Sequence, residues 1–291
     1  MALTLNEEQQ LLKDTAREFV QKNAPISHFR ELRDANDDKG YSQDLWMKMA
    51  DLGWAGILID EEYGGSNFGM VGLGAVLEET GRNLVPSPLI STALLGASLI
   101  QLAGNENQKK DLLPKISEGK LTTALALDEG ARHNPLNIST FCVKKGGNLV
   151  LEGRKTFVID GQSANLLIVV ARNSEPNNKE SNGDVSRSMY LVDPKKVGVK
   201  ITKVSMVDSR SYCEIIFDKV EVNEEDRLGE ENVVGIIDDV LERVQIGISA
   251  EMLGNALEAF DQTIQYLKDR KQFGKPIGSF QALQHRAAQM F

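Results

Sequence analysis

The residues best suited to bind a charged ligand lie near the C-terminal end of the sequence, in the run RKQFGKPIGSFQALQH at Arg270–His285. Five Lys or Arg and two Asp or Glu fall between residues 261 and 291, so a local charge of +3 stands in a chain whose formal net charge is −9. A guanidinium binds phosphate through paired donors. We therefore expect Arg270 to bind a phosphate group. The alternative is that these cations form a solvated turn.

The composition limits the classes of protein to which this chain can belong. It has 291 residues, of which 41% are hydrophobic and 26% charged, which is typical of a soluble globular protein of roughly two domains. The 42 Asp and Glu residues outnumber the 33 Lys and Arg residues. This acidic balance argues against a nucleic-acid partner, because phosphate binding needs basic residues. Two cysteines, Cys142 and Cys213, and three histidines offer neither a disulfide framework nor a metal-binding spacing. We expect no metal site and a reducing compartment, the cytoplasm.

Neither a signal peptide nor a membrane span is predicted. The first ten residues, MALTLNEEQQ, lack a basic region followed by an apolar stretch. The most apolar window, Pro88–Gly104, contains polar residues such as Ser91 and Gln101, and it is short for a bilayer, which takes about 20 apolar residues. A helix buried on most sides explains this window better.

The first third of the sequence is predicted to be helical. Thr4 and Glu7 have the spacing of a capping box before a helix that ends ahead of Pro25. Ser42 is a candidate N-cap for a second helix, and Gly53 is its candidate stop. Further helices are expected at residues 71–80, 88–104 and 106–117. We assign residues 1–119 to an N-terminal all-α domain.

The pattern changes near Leu121 to short apolar or alternating runs separated by Gly, Asn and Asp. This pattern is typical of an antiparallel β domain, which we assign to residues 120–226. The segment from Arg172 to Ser188 has Val185 as its one apolar residue and is predicted to be a solvated loop between strands.

Helical periodicity returns at Asn232 and continues without a proline to about Asp269, which predicts one long helix. Its interior glycines cost about 1 kcal/mol each relative to alanine, so we expect close packing at each of them. A turn follows, and a new helix begins near Ser279. We assign residues 227–291 to the start of a C-terminal helical domain. Because the sequence stops inside that helix, we expect the helical bundle to be incomplete. The fold class is thus α+β and multidomain.

This order of helices, β domain and helices resembles the acyl-CoA dehydrogenase family. Three motifs carry the resemblance: Arg270–His285, EEYGG at Glu61–Gly65 after a strand-like apolar run, and GRKTFVIDG at Gly153–Gly161. The resemblance covers the whole chain. It implies an FAD-dependent enzyme that oxidises an acyl-CoA thioester to its trans-2-enoyl form and passes electrons to an electron-transfer flavoprotein. It also implies a homotetramer or dimer, in a chain that is apparently truncated in its C-terminal domain.

The same resemblance implies the residues that contact FAD. Arg270 and Gln281 would reach the pyrophosphate of a neighbouring subunit, with Phe273 packing nearby. Two further pairs would meet the flavin ring. Their members are Leu127 and Asp128 at the pyrimidine edge, and Phe157 and Ile159 against the ring face. Ile159 departs from the family pattern, because it lacks the hydroxyl that usually donates to the flavin.

The acyl-CoA contacts implied by the resemblance are Asn134, Glu242 and Gln245. The catalytic glutamate of most family members is expected beyond Phe291, and its alternative position corresponds to Val244, which cannot act as a base. We interpret His133 as a loop residue and Glu251 as a packing residue of the long helix, so no base is assigned within the chain.

Two other functions remain open. A non-catalytic subunit that binds acyl-CoA or FAD in a mixed oligomer would explain the altered loop at Asp128–Pro135 and the loss of the hydroxyl at Ile159. An oxidase that gives electrons directly to oxygen is the third possibility, and it depends on how well the flavin site excludes oxygen.

Overall fold

The computed structural model describes residues 4–135, 137–176 and 186–291. Its first helix, α1 (Glu7–Asn23), begins where the side chains of Asn6 and Gln9 cap each other's backbone N–H groups, at 2.8 and 3.0 Å. The predicted capping box at Thr4 and Glu7 is therefore wrong by two residues. An asparagine side chain caps a helix as well as serine does, and here it meets a glutamine at the correct spacing.

The other N-terminal helices surround a core that contains Trp46 and Trp54. Ser42 caps α3 (Gln43–Asp51) as predicted, since its Oγ accepts from the N–H of Leu45 at 3.3 Å, and Gly53 takes the left-handed conformation, φ 80°, just after that helix. A short helix after Pro25 was not predicted, and the strand-like run before Glu61 is a turn. The helices are α2 (Ile26–Asp34), α3 (Gln43–Asp51), α4 (Gly69–Arg82), a π-helix (Leu89–Gly96), α5 (Ala97–Ala103) and α6 (Glu106–Ser117).

Residues 88–100 of the apolar window are buried, as predicted, whereas Leu102 near its end is 42% exposed. Every residue of the π-helix Leu89–Gly96 is buried, and Leu94 and Leu99 are among the largest fully buried side chains. In the described part of the chain, no helix combines the length and apolar character that crossing a membrane requires.

The middle of the chain forms one mixed sheet, in the order β6-β7-β3-β2-β4-β5-β8 with β1 paired to β4. Most neighbours are antiparallel, as predicted, but β4 runs parallel to both β1 and β2, because the chain returns through the β2–β3 hairpin before it adds β4. Residues 177–185 of the predicted solvated loop lie outside the described residues. The strands are β1 (Thr123–Ala126), β2 (Phe141–Lys145), β3 (Asn148–Ile159), β4 (Leu166–Arg172), β5 (Arg187–Val192), β6 (Val199–Ser205), β7 (Ser211–Val222) and β8 (Arg227–Leu228).

The predicted long helix is α7 (Val234–Asp269), which packs along α4. Close approach explains two of its three glycines. A Cβ at Gly254 would lie 1.9 Å from the carbonyl oxygen of Glu78, and one at Gly247 would lie 2.6 Å from Leu94. Nothing lies within 4 Å of a Cβ at Gly235, so the predicted packing reason is wrong there.

A hairpin and a short helix complete the described chain. The strands β9 (Lys271–Gln272) and β10 (Lys275–Pro276) pair, and α8 (Gln281–Met290) follows a single 3₁₀ turn. One apolar core joins the N-terminal helices, α7 and one face of the sheet, and a second core lies on the other face. The predicted fold class is thus confirmed, whereas the boundaries after residues 119 and 226 stay predictions.

Candidate functional site

A cavity of about 290 Å³ lies where the sheet, the π-helix and α7 meet. Its walls are mostly apolar, with a few polar groups at one end, as in most small-molecule sites. The lining residues are Leu95, Leu125, Leu127, Asp128, His133, Thr156, Phe157, Ile159, Leu241, Val244, Gln245 and Ile248. Four of the predicted cofactor contacts, Leu127, Asp128, Phe157 and Ile159, are therefore brought together.

The end of β3 forms a strained shelf in one wall of this cavity; we use "shelf" for residues 157–159. The pairing register with β7 shifts between Lys155 and Val158, and Phe157 has φ 51°. A left-handed conformation in a residue other than glycine costs about 1–3 kcal/mol and is common at binding sites. Val158 is buried on the opposite side, so Phe157 and Ile159 face the cavity, and Phe157 remains 39% exposed.

Hydrogen bonds from the preceding residues hold the shelf in place. The N–H of Thr156 donates to the carbonyl oxygen of Asp128 at 2.7 Å, and its Oγ1 donates to the carbonyl oxygen of Gly130 at 3.1 Å. The loop that follows β1 is therefore fixed to the residue immediately before Phe157.

A buried ion pair supports the same loop from below. Lys155 is fully buried, and its Nζ donates to the carbonyl oxygen of Leu127 at 2.9 Å and to Glu129 Oε1 at 2.7 Å. Burial lowers the pKa of Lys155 to about 8, although the charge of Glu129 opposes that shift. Burial alone would raise the pKa of Glu129, but Lys155 and the N–H groups of Ser139 and Thr140 hold it below its usual value.

The carboxylate of Asp128 is satisfied by its own loop. Its Oδ2 lies 2.8 Å from Nδ1 of His133, and its Oδ1 accepts from the N–H of Asn134 at 3.0 Å. Asn134, predicted to contact the acyl-CoA, does not line the cavity, and its backbone shapes the loop instead. His133 does line the cavity, which the sequence analysis missed, because nothing in a loop sequence indicates that a histidine folds back onto an aspartate.

The wall formed by α7 carries no proton acceptor at the predicted alternative base position. Val244 is buried and lines the cavity, and Gln245 lines it although its residue is exposed. Glu242 is exposed and lies outside the lining. Asp128 and His133 are the titratable residues among those described as lining the cavity. In the described ranges, no group of three or more His, Cys, Asp or Glu residues is placed to hold a metal ion.

The cationic turn after α7 lies apart from this cavity within one chain. Arg270, Phe273 and Gln281 are all described and exposed, and none of them lines the cavity. Phe273 is 91% exposed with φ 51°, and its ring meets that of Phe280 edge-on at 6.1 Å. Its exposure leaves this turn available to a second molecule.

A second polar cluster lies behind Ile159. The Oγ of Ser91 donates to Asp160 Oδ2 at 2.6 Å, and Arg210 pairs with Glu251 of α7. Burial raises the pKa of Asp160 to about 6, although Ser91 and Arg210 both stabilise its charge. Glu251 therefore has a charged partner, in addition to the packing role predicted for it.

The residues of the cavity fit the isoalloxazine ring of FAD. A flat ring with one polar edge matches apolar walls that end at Leu127, Asp128 and Thr156, and the exposed ring of Phe157 offers a stacking surface. The volume of about 290 Å³ lies at the lower end of the range of small-molecule sites, about 300–1,000 Å³.

Three models of one protein family match consecutive parts of the chain. The N-terminal, middle and C-terminal domains of acyl-CoA dehydrogenase match residues 6–120, 124–220 and 235–291. Together they leave only short segments unmatched.

Solved structures agree with these matches. An acyl-CoA dehydrogenase from Geobacillus kaustophilus is 28% identical, with a TM-score of 0.87 over 100% of this chain and 76% of that one. Butyryl-CoA dehydrogenase from Megasphaera elsdenii is 27% identical, with a TM-score of 0.84 over 100% and 76%. A variant of the Tcur3481-Tcur3483 steroid ACAD is 28% identical, with a TM-score of 0.82 over 98% and 73%.

Proposed function

Because the chain belongs to the acyl-CoA dehydrogenase family, whose members are oxidoreductases acting on CH–CH bonds, we propose that it binds FAD and serves the α,β-dehydrogenation of an acyl-CoA thioester. The cavity between the shelf and α7 carries this proposal. It joins an exposed aromatic ring, a polar edge and an apolar wall in one crevice.

The polar edge consists of backbone and side-chain groups whose positions are already fixed. Lys155 holds the carbonyl group of Leu127, and Thr156 holds that of Asp128, so these groups need no rearrangement when a ring binds. Preorganised polar groups cost less to use than mobile ones. Phe157 would cover the ring face, and Ile159 would pack on it without donating a hydrogen bond.

The apolar wall of α7 and the π-helix suits an acyl chain. Leu95, Leu241, Val244 and Ile248 would exclude water from the reacting carbons. Bound FAD would supply the acceptor for the hydride that leaves the β carbon, which no side chain can do. Removal of the α proton needs a base, and we assign that role to no residue of this chain, because Val244 cannot accept a proton and the Asp128 carboxylate is engaged by His133 and Asn134.

Exposed apolar residues support an oligomer, which we propose to be a homotetramer or dimer. Ile246, Met252, Leu253 and Tyr266 of α7 are all at least half exposed, and apolar patches of this kind mark interaction surfaces. A neighbouring copy could bring Arg270 and Gln281 to the FAD pyrophosphate, with Phe273 nearby. Paired guanidinium donors suit that group.

The electron acceptor and the compartment are proposed from the family resemblance. An electron-transfer flavoprotein is the acceptor that the resemblance implies. Cys142 and Cys213 are both free and buried, which supports the cytoplasm, where thiols stay reduced. Asn134, Glu242 and Gln245 stay proposed acyl-CoA contacts, and Gln245 is supported by its place in the cavity lining.

A non-catalytic subunit of a mixed oligomer is the alternative. The altered loop at Asp128–Pro135 and Ile159 favour it, because Ile159 lacks the hydroxyl that the family usually has at that position. The name of one similar structure, a variant of the Tcur3481-Tcur3483 steroid ACAD, joins two protein names.

Titration with FAD followed by an acyl-CoA separates these two functions. The purified full chain should bind FAD with a flavin absorbance band, and that band should bleach anaerobically when an acyl-CoA is added, slowly because no base is assigned within the chain. Binding without bleaching by thioesters of short, long and branched acyl chains supports the non-catalytic subunit. Absence of FAD binding contradicts the proposed function.

A further inference from the structure

Four side chains from four separate segments meet behind the cavity; we call them the clasp. They are Ser91 of the π-helix, Asp160 after β3, Arg210 before β7 and Glu251 of α7. Ser91 Oγ donates to Asp160 Oδ2 at 2.6 Å, and Arg210 forms an ion pair with Glu251. Asp160 is attracted by the charge of Arg210 and repelled by that of Glu251. The clasp therefore joins the sheet to both helical walls.

Three members of the clasp adjoin residues that line the cavity. Asp160 directly follows Ile159 of the shelf. Glu251 lies one helical turn after Ile248, and Ser91 lies one turn before Leu95, and both of those residues line the cavity. The clasp therefore lies one residue or one helical turn from the parts of the shelf, of α7 and of the π-helix that line the cavity.

Asp160 also ends the strained segment. It has φ 56°, and Phe157 has φ 51°, so two left-handed residues enclose Val158 and Ile159. The N–H of Asp160 donates to the carbonyl oxygen of Ser211 at 2.8 Å. Such conformations persist only where the surroundings impose them. On this side of the shelf, that backbone bond and the N–H groups of Ser163 and Ala164, which donate to the carbonyl oxygen of Asp160 at 3.0 Å, hold the backbone, and the bond from Ser91 holds the side chain.

We propose that Asp160 is a positioning residue, whose bond to Ser91 and charge interaction with Arg210 set the position of Phe157 and Ile159 relative to α7. This inference rests on the proposed function, because the shelf is the surface that would receive the flavin ring. Asp160 would contact neither cofactor nor substrate. It would act through Phe157 and Ile159, which would contact the flavin ring.

The charge of Asp160 changes near neutral pH, which makes the inference testable. Burial raises its pKa to about 6. The titratable groups that face it are Arg210, Glu251, Tyr41, Tyr212 and Cys213. Burial raises the pKa values of Tyr212 and Cys213 to about 12 and that of Tyr41 above its usual range, so all three stay neutral. Arg210 stays charged, because Glu251 outweighs the effect of its burial.

The test places 4-fluorophenylalanine at position 157 of the full chain and follows its ¹⁹F resonance without FAD between about pH 5 and 8. In the wild type, the resonance should shift with a midpoint near pH 6. Asp160→Asn should hold it at the low-pH position throughout. Asp218→Asn, a change at an exposed residue of β7, should titrate like the wild type.

Ser91→Ala provides a second variant if Asp160→Asn fails to fold. The bond from Ser91 lowers the pKa of Asp160, so its loss should move the midpoint to higher pH. A resonance that does not respond to pH, or a response unchanged in Asp160→Asn or in Ser91→Ala, overturns the inference.

FAD affinity provides an independent readout. Its dissociation constant, measured by flavin fluorescence, should change about three-fold across this pH range in the wild type and stay constant in Asp160→Asn. An equal change in both proteins overturns the inference. Absence of FAD binding at every pH overturns the proposed function instead, and the ¹⁹F measurement still decides the role of Asp160.

Discussion

The buried ammonium group of Lys155 lies 2.9 Å from the carbonyl oxygen of Leu127 and 2.7 Å from Glu129 Oε1. One side chain of β3 thus fixes the loop after β1 and, through the adjoining Thr156, the shelf that carries Phe157. The polar edge of the cavity therefore depends on two neighbouring residues of β3, Lys155 and Thr156.

Replacing Lys155 with methionine should destabilise the protein by about 3–5 kcal/mol, because Glu129 would keep a largely buried charge without its cationic partner. Urea unfolding measures this loss. The matched control is Lys145→Met, which removes a lysine paired with Glu152 on the surface and should change stability little. Equal effects of the two substitutions would show that the Lys155 pair has no special structural role.

Asp160→Asn should stabilise the protein at pH 7 by about 1–2 kcal/mol. The folded state raises the carboxyl pKa from 3.8 to about 6, so ionised Asp160 opposes folding above that value. As the pH falls from about 6 towards 4, wild-type Asp160 takes up a proton and the difference should vanish. Unfolding measured at several pH values tests this trend. A stabilisation independent of pH, or a destabilisation at pH 7, would contradict the assigned pKa.

Val244→Glu should place a carboxylate in the cavity wall where the family's alternative base stands. Flavin bleaching by an acyl-CoA should become about 100-fold faster, since a positioned base contributes about 10²–10⁴-fold. Val244→Gln is the control, because glutamine has nearly the same shape as glutamate but lacks the carboxylate that accepts a proton. Equal bleaching rates in the Glu and Gln variants would remove position 244 from the reacting site.

Arg270→Ala should weaken FAD binding by about 1.5–3 kcal/mol, roughly ten- to hundred-fold, through loss of a charged hydrogen-bond donor to the pyrophosphate. Equilibrium titration of the assembled oligomer measures this effect. Arg286→Ala on α8 removes an exposed arginine of equal charge and should have little effect. Identical affinities of the two variants would indicate that the cationic turn does not meet the cofactor.

Local patterns predicted the elements of this fold better than their contacts. The long helix follows from uninterrupted periodicity between Asn232 and Asp269, and the structure begins it at Val234. Ser42 and Gly53 mark the ends of α3 because capping depends on neighbouring residues. The parallel pairing of β1 with β4 joins residues more than 40 positions apart, and no local pattern specifies it.

The sequence predicts those parts of the candidate site that lie within a recognisable motif. Phe157 and Ile159 were assigned from one strand motif, and both line the cavity. The contact between Asp128 and His133 depends on a loop turning back on itself, and the pair formed by Arg210 and Glu251 depends on docking of the sheet against α7. No sequence pattern indicates either contact, because both arise from tertiary packing.

FAD titration of the wild type, Val244→Trp and Val197→Trp tests most directly whether the cavity holds the flavin ring. Val244 is buried in the cavity wall, whereas Val197 is 93% exposed in the turn after β5. An indole at position 244 would fill the space of the ring, so FAD binding should be lost in Val244→Trp, provided circular dichroism shows a folded protein, and kept in Val197→Trp. Wild-type affinity in a folded Val244→Trp protein would contradict the account, because the flavin would then lie elsewhere.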